Sequence, residues 1–125
     1  MARISVPFDR QCAFARLPVP VAEYRFASTS EGRQWRVDWC FVAQRIAVEV
    51  EGGYAAGGRH TSVNGFLADM EKYNSLACHG FRLLRVSPRQ IDNGQALMWV
   101  QRILDPSEPV DLEALLSSLQ ISPEG

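Results

Sequence analysis

The sequence contains no apolar run long enough to cross a lipid bilayer, although hydrophobic residues make up 46% of its 125 positions. Its uninterrupted apolar stretches, such as residues 39–43, are far shorter than the roughly 20 residues that a membrane-spanning helix requires. The first ten residues, M-A-R-I-S-V-P-F-D-R, also lack the apolar segment of a secretion signal. These absences predict a cytoplasmic protein without a membrane partner, of a size that fits one domain.

Cysteine is scarce and follows no recognisable spacing. The three cysteines, Cys12, Cys40 and Cys78, are an odd number and include no C-x-x-C pair. This pattern predicts neither a disulfide framework nor a zinc ribbon. We therefore expect reduced thiols.

Lysine is rarer still, because Lys72 is the only lysine among 13 basic residues. The net charge of −1 is unusual for a protein that binds nucleic acid. However, residues 105–125 contain five acids and no base, so residues 1–104 carry a net charge of +4. Arginine binds phosphate through two parallel hydrogen bonds, and this arginine-rich body therefore permits a nucleic-acid partner.

Two segments in the middle of the chain alternate between apolar and polar residues, as half-buried strands do. The large apolar side chains fall at positions 35, 37, 39 and 41, and then at 46, 48 and 50. A tight turn centred on residues 43 and 44 pairs residues whose numbers sum to 87. Asp38 then lies opposite Glu49, and Arg36 opposite Glu51. A register shifted by one residue would turn an acid toward the apolar face, so the hydrophobic pattern supports this pairing.

The facing acids predict a metal site on this hairpin. Carboxylates directly opposite each other repel, so a positive charge is needed near Asp38 and Glu49. Both side chains offer hard oxygen ligands, which Mg²⁺ and Mn²⁺ prefer. The alternative is a pair of solvated acids neutralised by Arg25 and Arg36.

The rest of the chain alternates short predicted strands and helices, which indicates an α/β fold. Prolines at positions 7, 18 and 20 predict an irregular N-terminal arm. The expected elements are strands at 23–27 and 81–86, helices at 61–79 and 95–104, a short helical turn after Ser87, and a weak leucine-striped helix at 111–119. The expected organisation is an arm (1–22), a central domain (23–104) and an acidic tail (105–125).

The hairpin and the sequence after it resemble a known enzyme family. The segment V-D-W…A-V-E-V-E-G-G is followed by a glycine and histidine loop, a helix with an internal aspartate, and the strand sequence G-F-R-L-L-R. Over about residues 23–104 this pattern resembles the PD-(D/E)XK nuclease superfamily, in particular very-short-patch repair endonucleases and their small bacterial and phage relatives. The resemblance implies a restriction-endonuclease-like fold, a mixed sheet with flanking helices, and metal-dependent cleavage of DNA.

The resemblance also implies roles for individual acids. Asp38 and Glu49 match the two acids that bind the catalytic metal, and Glu23 matches an outer ligand from the preceding element. Glu51 stands where the family usually has lysine. It is therefore interpreted either as a further metal ligand or as the cross-strand partner of Arg36.

Several residues are candidates to supply the positive charge that the family's lysine would provide. Lys72, on the following helix, is the predicted replacement, and the alternative is a solvated lysine paired with Asp69 one turn earlier. His60 lies where the similar repair nucleases have a histidine and is predicted to be a general base or a phosphate contact, with a surface-loop histidine as the alternative. Arg36, Arg59 and Lys72 are the predicted DNA-binding residues.

These observations lead to one predicted function and one alternative. The prediction is a Mg²⁺- or Mn²⁺-dependent DNA endonuclease for repair, recombination or processing of bacterial or phage DNA, as a monomer or homodimer. Its predicted catalytic residues are Asp38, Glu49, Glu51, Lys72 and His60. No nucleotide cofactor is expected, because the glycines at 52–58 lack the Lys-Ser/Thr of a P-loop. The alternative, favoured by Glu51, is an inactive nuclease-fold protein that binds nucleic acid or serves in an assembly.

Overall fold

The computed structural model describes residues 5–27, 35–52, 63–106 and 111–119. These residues belong to two compact units: a sheet unit within residues 21–85, and a helical unit formed by the described residues before 21 and after 85. The elements in chain order are α1 (Phe8–Phe14), β1 (Val21–Arg25), β2 (Arg36–Phe41), β3 (Ile46–Val50), α2 (Val63–Cys78), β4 (Arg82–Val86), α3 (Pro88–Asp92), α4 (Gln95–Leu104) and α5 (Leu112–Leu119).

The four strands form one sheet in the order β1-β2-β3-β4. β1 pairs with β2 and β2 with β3 in antiparallel fashion. The chain then passes through α2 before β4 lies beside β3, a helical crossover of the kind that joins parallel neighbours. The predicted α/β class with a mixed sheet and helices is confirmed.

The hairpin of β2 and β3 has the predicted register. Phe41 pairs with Ile46, Cys40 with Ala47, and Trp39 with Val48. Residues 42–45 form the turn, where Arg45 adopts the left-handed conformation with φ 55° and its N–H donates to the Val42 carbonyl over 3.3 Å. The alternation of apolar and polar residues was sufficient to predict this register, because a slip by one residue would have moved every apolar side chain to the opposite face of the sheet.

Helix α2 lies where the sequence predicts it, but its exposed and buried faces differ from the usual amphipathic arrangement. Four apolar side chains at helical spacing are 48–75% exposed: Val63, Phe66, Leu67 and Met70. The buried side chains of α2 are instead Asp69, Lys72, Ser75 and Leu76. Leu76 joins Val37, Cys40 and Ala47 in the core of the sheet unit. The buried face of α2 therefore carries charged groups into the sheet unit.

The helical unit begins with α1, where the prolines had predicted an irregular arm. Pro7 stands at the N-cap, and the helix ends at Phe14, before Pro18, so the prolines lie outside the helix and do not interrupt it. α1 packs against α4 and α5. Its Gln11 side chain is fully buried and its Nε2 donates to the carbonyls of Val6 and Ile91, both over 2.9 Å.

Two further sequence predictions hold in this unit. Ser87 forms a capping box with Gln90 at the start of α3, as expected for Ser-Pro before a short helix. α5 is helical, and it buries Leu116 and Leu119. Leu116 and Leu119 of the predicted leucine stripe are therefore core residues.

The described residues include no helix with the length and apolar content to cross a membrane. All three cysteines are free thiols, of which Cys12 and Cys40 are buried and Cys78 is exposed.

Candidate active site

A pocket of 440 Å³ opens in the sheet unit beside the strand segments that carry the acids. β1, β2, β3 and α2 all contribute side chains to its wall. The lining residues are Glu23, Trp35, Arg36, Asp38, Glu49, Val50, Glu51, Asp69, Lys72 and Tyr73. Acids outnumber bases in this wall, which makes it a cation-attracting surface.

Three acids occupy one row across three neighbouring strands. Glu23 lies opposite Asp38, between the pairs Ala22–Trp39 and Tyr24–Val37. Asp38 and Glu49 occupy the next position of the β2–β3 register, adjacent to the Trp39–Val48 pair. Glu23 has φ 53°, a left-handed conformation that is uncommon for a residue other than glycine and that often marks a functional site.

Backbone hydrogen bonds fix the two central carboxylates. The Val50 N–H donates to Asp38 Oδ2 over 2.7 Å, and the Asp38 N–H lies 3.4 Å from Glu49 Oε2. Each acid is thus held by the strand that carries the other. Because both contacts come from strand backbone, the two side chains are positioned by rigid structure.

Glu49 is a buried acid of the pocket whose pKa is shifted. It is only 8% exposed, and the pKa of its carboxyl is raised to about 7, chiefly by burial. Lys72 opposes this increase, and the neighbouring Asp38 adds to it. The negative charges of Asp38 and Glu49 therefore disfavour each other, and a bound cation would relieve this repulsion.

Lys72 supplies a positive charge directly to Glu49. Its Nζ contacts Glu49 Oε1, and about a tenth of each side chain is exposed. The predicted alternative of a solvated surface lysine is therefore wrong, because Lys72 lies on the buried face of α2. Asp69, one turn earlier on that face, also lines the pocket.

Glu51 takes part in a different cluster. Its Oε2 accepts from Arg85 Nε over 2.7 Å, and its Oε1 accepts from Arg85 Nη2 over 2.9 Å and from the Tyr73 hydroxyl over 3.2 Å. The guanidinium of Arg85 also lies 4.9 Å from the centre of the Tyr73 ring. The hydrogen bond to Glu51 raises the pKa of Arg85, and burial and then Glu51 raise the pKa of Tyr73, so both groups stay protonated.

Arg36 forms an ion pair with Glu23, and not with Glu51 as the hairpin register had indicated. Arg36 Nε lies 3.2 Å from Glu23 Oε2, and both side chains are more than half exposed. β3 ends at Val50, and Glu51 is held by Arg85 from β4. The partner of Glu51 is therefore set by the neighbouring position of β3 and β4, which are distant in sequence.

Six of the predicted site residues share this pocket: Glu23, Arg36, Asp38, Glu49, Glu51 and Lys72. His60 and Arg59 lie outside the described residues, and their predicted roles stay predictions. Trp35, Tyr73 and Arg85 have no role predicted from the sequence. The segment F-R-L-L-R-V contained a signal for Arg85, since two arginines interrupt an otherwise apolar strand.

The donor set of the pocket fits a magnesium-like cation. In the part of the chain that the structure describes, no group of three or more His, Cys, Asp or Glu side chains is arranged to hold a metal ion. Asp38 and Glu49 provide two adjacent carboxylates. Mg²⁺ is commonly bound by one or two carboxylates, with water and substrate phosphate completing its coordination.

Comparison with known proteins identifies no relative: no protein-family model, curated protein or solved structure matches the chain significantly.

Proposed function

We propose that this protein is a metal-dependent DNA endonuclease of the PD-(D/E)XK type. The observation that carries the proposal is the pairing of Asp38 and Glu49 on adjacent strands with Lys72 in contact with Glu49. Two acids and a lysine are the groups that the sequence resemblance implies, although the lysine comes from a helix. The mixed α/β sheet is compatible with a restriction-endonuclease-like arrangement.

Asp38 and Glu49 would hold the Mg²⁺ or Mn²⁺ ion. When bound, such an ion lowers the pKa of a coordinated water and offsets charge on the phosphate. The backbone donors at Val50 and Asp38 keep the two carboxylates in place. Glu23 contributes from the adjacent strand, where its ion pair with Arg36 is exposed to solvent and can exchange partners.

The basic residues of the pocket would bind DNA phosphate. Arg36 lies at the exposed rim and can form two parallel hydrogen bonds to a phosphate group. Lys72 lies deeper, where its ammonium can stabilise negative charge that develops on the phosphate during hydrolysis. Acidic lining alone would repel DNA, so phosphate binding is expected to depend on the divalent cation.

A cleavage panel tests the proposal. The full chain is incubated with supercoiled plasmid, branched DNA and mismatched duplex DNA, in Mg²⁺, in Mn²⁺ and in excess EDTA. We expect cleavage of at least one substrate with a divalent cation and none in EDTA. A matched preparation of Asp38→Asn serves as the control for contaminating nucleases. Cleavage that persists in EDTA or in this variant would contradict the proposal.

The alternative is an inactive nuclease-fold protein that binds nucleic acid or serves in an assembly. It is favoured by Glu51, which stands at the usual lysine position and is held by Arg85 and Tyr73. If the full chain shifts DNA in a native gel but cleaves none of the substrates with either cation, the binding function is preferred.

A further inference from the structure

The contact between Lys72 and Glu49 places a positive charge on an oxygen that a metal ion would need. Lys72 Nζ contacts Glu49 Oε1, while Glu49 Oε2 faces the Asp38 backbone N–H at 3.4 Å. The two side chains are about nine-tenths buried, so water screens their interaction poorly. In this arrangement one oxygen of the acid pair is already neutralised by the protein itself.

Lys72 is held at this position by its element. It lies on the buried face of α2, in the same row as Asp69, Ser75 and Leu76, and Leu76 is part of the core. The helix therefore cannot readily turn the lysine away, but the flexible side chain can move within the 440 Å³ pocket. The pocket wall also contains the acids Asp69 and Glu51.

We propose that Lys72 is a built-in counter-ion of the acid pair, which neutralises Glu49 in the metal-free protein and is displaced toward the substrate phosphate when a divalent cation binds. This inference rests on the proposed function, since it assumes that Asp38 and Glu49 hold the cation. An ammonium and a divalent cation repel each other, so Lys72 and the cation compete for Glu49. The competition weakens cation binding and, by reciprocity, cation binding releases the lysine.

The displacement has a functional consequence. While Lys72 pairs with Glu49, the buried carboxylate is compensated and the pocket is stable without metal. Once released, the ammonium is available beside the bound phosphate, where the family's strand lysine would otherwise stand. A single lysine would thus serve as a structural partner in one state and as a phosphate contact in the other.

The wild-type protein offers a direct test, because Lys72 is its only lysine. Lysine labelled with ¹³C and ¹⁵N gives one side-chain signal by NMR, which is followed as Mg²⁺ is added to the metal-free full chain. We expect this signal to move in proportion to Mg²⁺ occupancy measured by calorimetry. The rate at which trinitrobenzenesulfonate modifies Lys72 should rise about tenfold at saturation, within the range typical of coupled binding events.

Variants test the same competition by affinity. Lys72→Met removes the ammonium but keeps an unbranched side chain, and we expect it to bind Mn²⁺ about tenfold more tightly than wild type. Mn²⁺ should also raise its melting temperature more than that of wild type. Arg25→Met is the control, because it removes one positive charge from a different element, β1. It should leave Mn²⁺ affinity within about twofold of wild type. Lys72→Arg, which keeps the charge, should stay near wild type.

The outcomes separate the inference from the proposed function. If Mg²⁺ and Mn²⁺ bind but the Lys72 signal, its modification rate and the affinity of Lys72→Met are all unchanged, the counter-ion role is wrong while the metal site stands. If neither cation binds the wild type or Lys72→Met, the metal site itself is wrong. Should Lys72→Met fail to fold, the wild-type NMR titration alone decides.

Discussion

The two units of the molecule bury different kinds of side chain. Among the described residues of the helical unit, the buried polar side chain is Gln11, a neutral amide that donates two hydrogen bonds to backbone carbonyls. In the sheet unit the buried set includes Glu49, Asp69 and Lys72, which are 8%, 6% and 9% exposed. The helical unit is thus built like an ordinary apolar core, and the sheet unit also buries ionisable side chains.

The difference is not explained by stability alone. A buried ion pair contributes little net stability compared with apolar packing, so Lys72–Glu49 is poorly explained as a stabilising device. A buried pocket acid with a raised pKa, such as Glu49, is instead typical of functional sites. The burial pattern of α2 is also not the one expected for stability, because the helix buries Lys72 while leaving Phe66 and Met70 about half exposed.

The largest expected effect comes from Asp38→Asn in the sheet unit. We expect DNA cleavage to fall by more than about 100-fold, because the charge that would hold the cation is lost. Folding should be unaffected or slightly favoured, since the repulsion with Glu49 disappears and the amide oxygen can still accept from Val50. Cleavage assays and urea denaturation in EDTA measure the two quantities.

Asp9→Asn in the helical unit is the matched control for this substitution. Asp9 lies on α1 and its carboxylate accepts from the Arg10 N–H. Its removal should leave cleavage within about twofold of wild type. Cleavage by Asp38→Asn at the wild-type rate would remove Asp38 from the site and with it the contrast between the units.

The converse effect is expected for Gln11→Met, which changes the helical unit. Methionine keeps the length of the side chain but removes the two hydrogen bonds from Gln11 to the carbonyls of Val6 and Ile91, so unfolding free energy should fall by about 2 kcal/mol. Burial raises the pKa of the neighbouring Cys12 thiol to about 12, so its labelling at pH 8 requires local opening and should become faster. Cleavage below the unfolding temperature should be retained.

Gln101→Met on α4 provides the control for Gln11→Met. Gln101 is half-buried, and we expect its substitution to change unfolding free energy by less than about 0.5 kcal/mol. Equal stability losses for the two variants would mean that Gln11 does not support the helical unit through its hydrogen bonds.

Local patterns predicted much of the sheet unit. Alternation at 35–41 and 46–51 fixed β2, β3 and their register, and therefore the adjacency of Asp38 and Glu49. Contacts between segments distant in sequence were harder to predict. Arg85 reaches Glu51 because β4 is next to β3, a neighbour relationship that no local pattern contains. The N-terminal helix was missed because its flanking prolines resemble those of an irregular segment.

The smallest effect is expected within the sheet unit, for Glu51→Gln. Both oxygens of Glu51 are engaged by Arg85, and Tyr73 adds a third hydrogen bond, so Glu51 acts as a structural acid at the edge of the pocket. The Arg85 side chain is 51% exposed, and solvent screening limits the loss of unfolding free energy to about 1 kcal/mol. Cleavage should stay within about threefold of wild type.

Arg85→Met gives the matched test of this role, because it removes the partner and leaves Glu51 in place. If the pair is structural, the two variants lose similar stability, and the double variant loses less than their sum. A fall in cleavage for Glu51→Gln as deep as that for Asp38→Asn would show instead that Glu51 acts on the cation or the substrate. Glu51 would then act together with Asp38 in cleavage, and the distinction between a structural Glu51 and a functional Asp38 would be wrong.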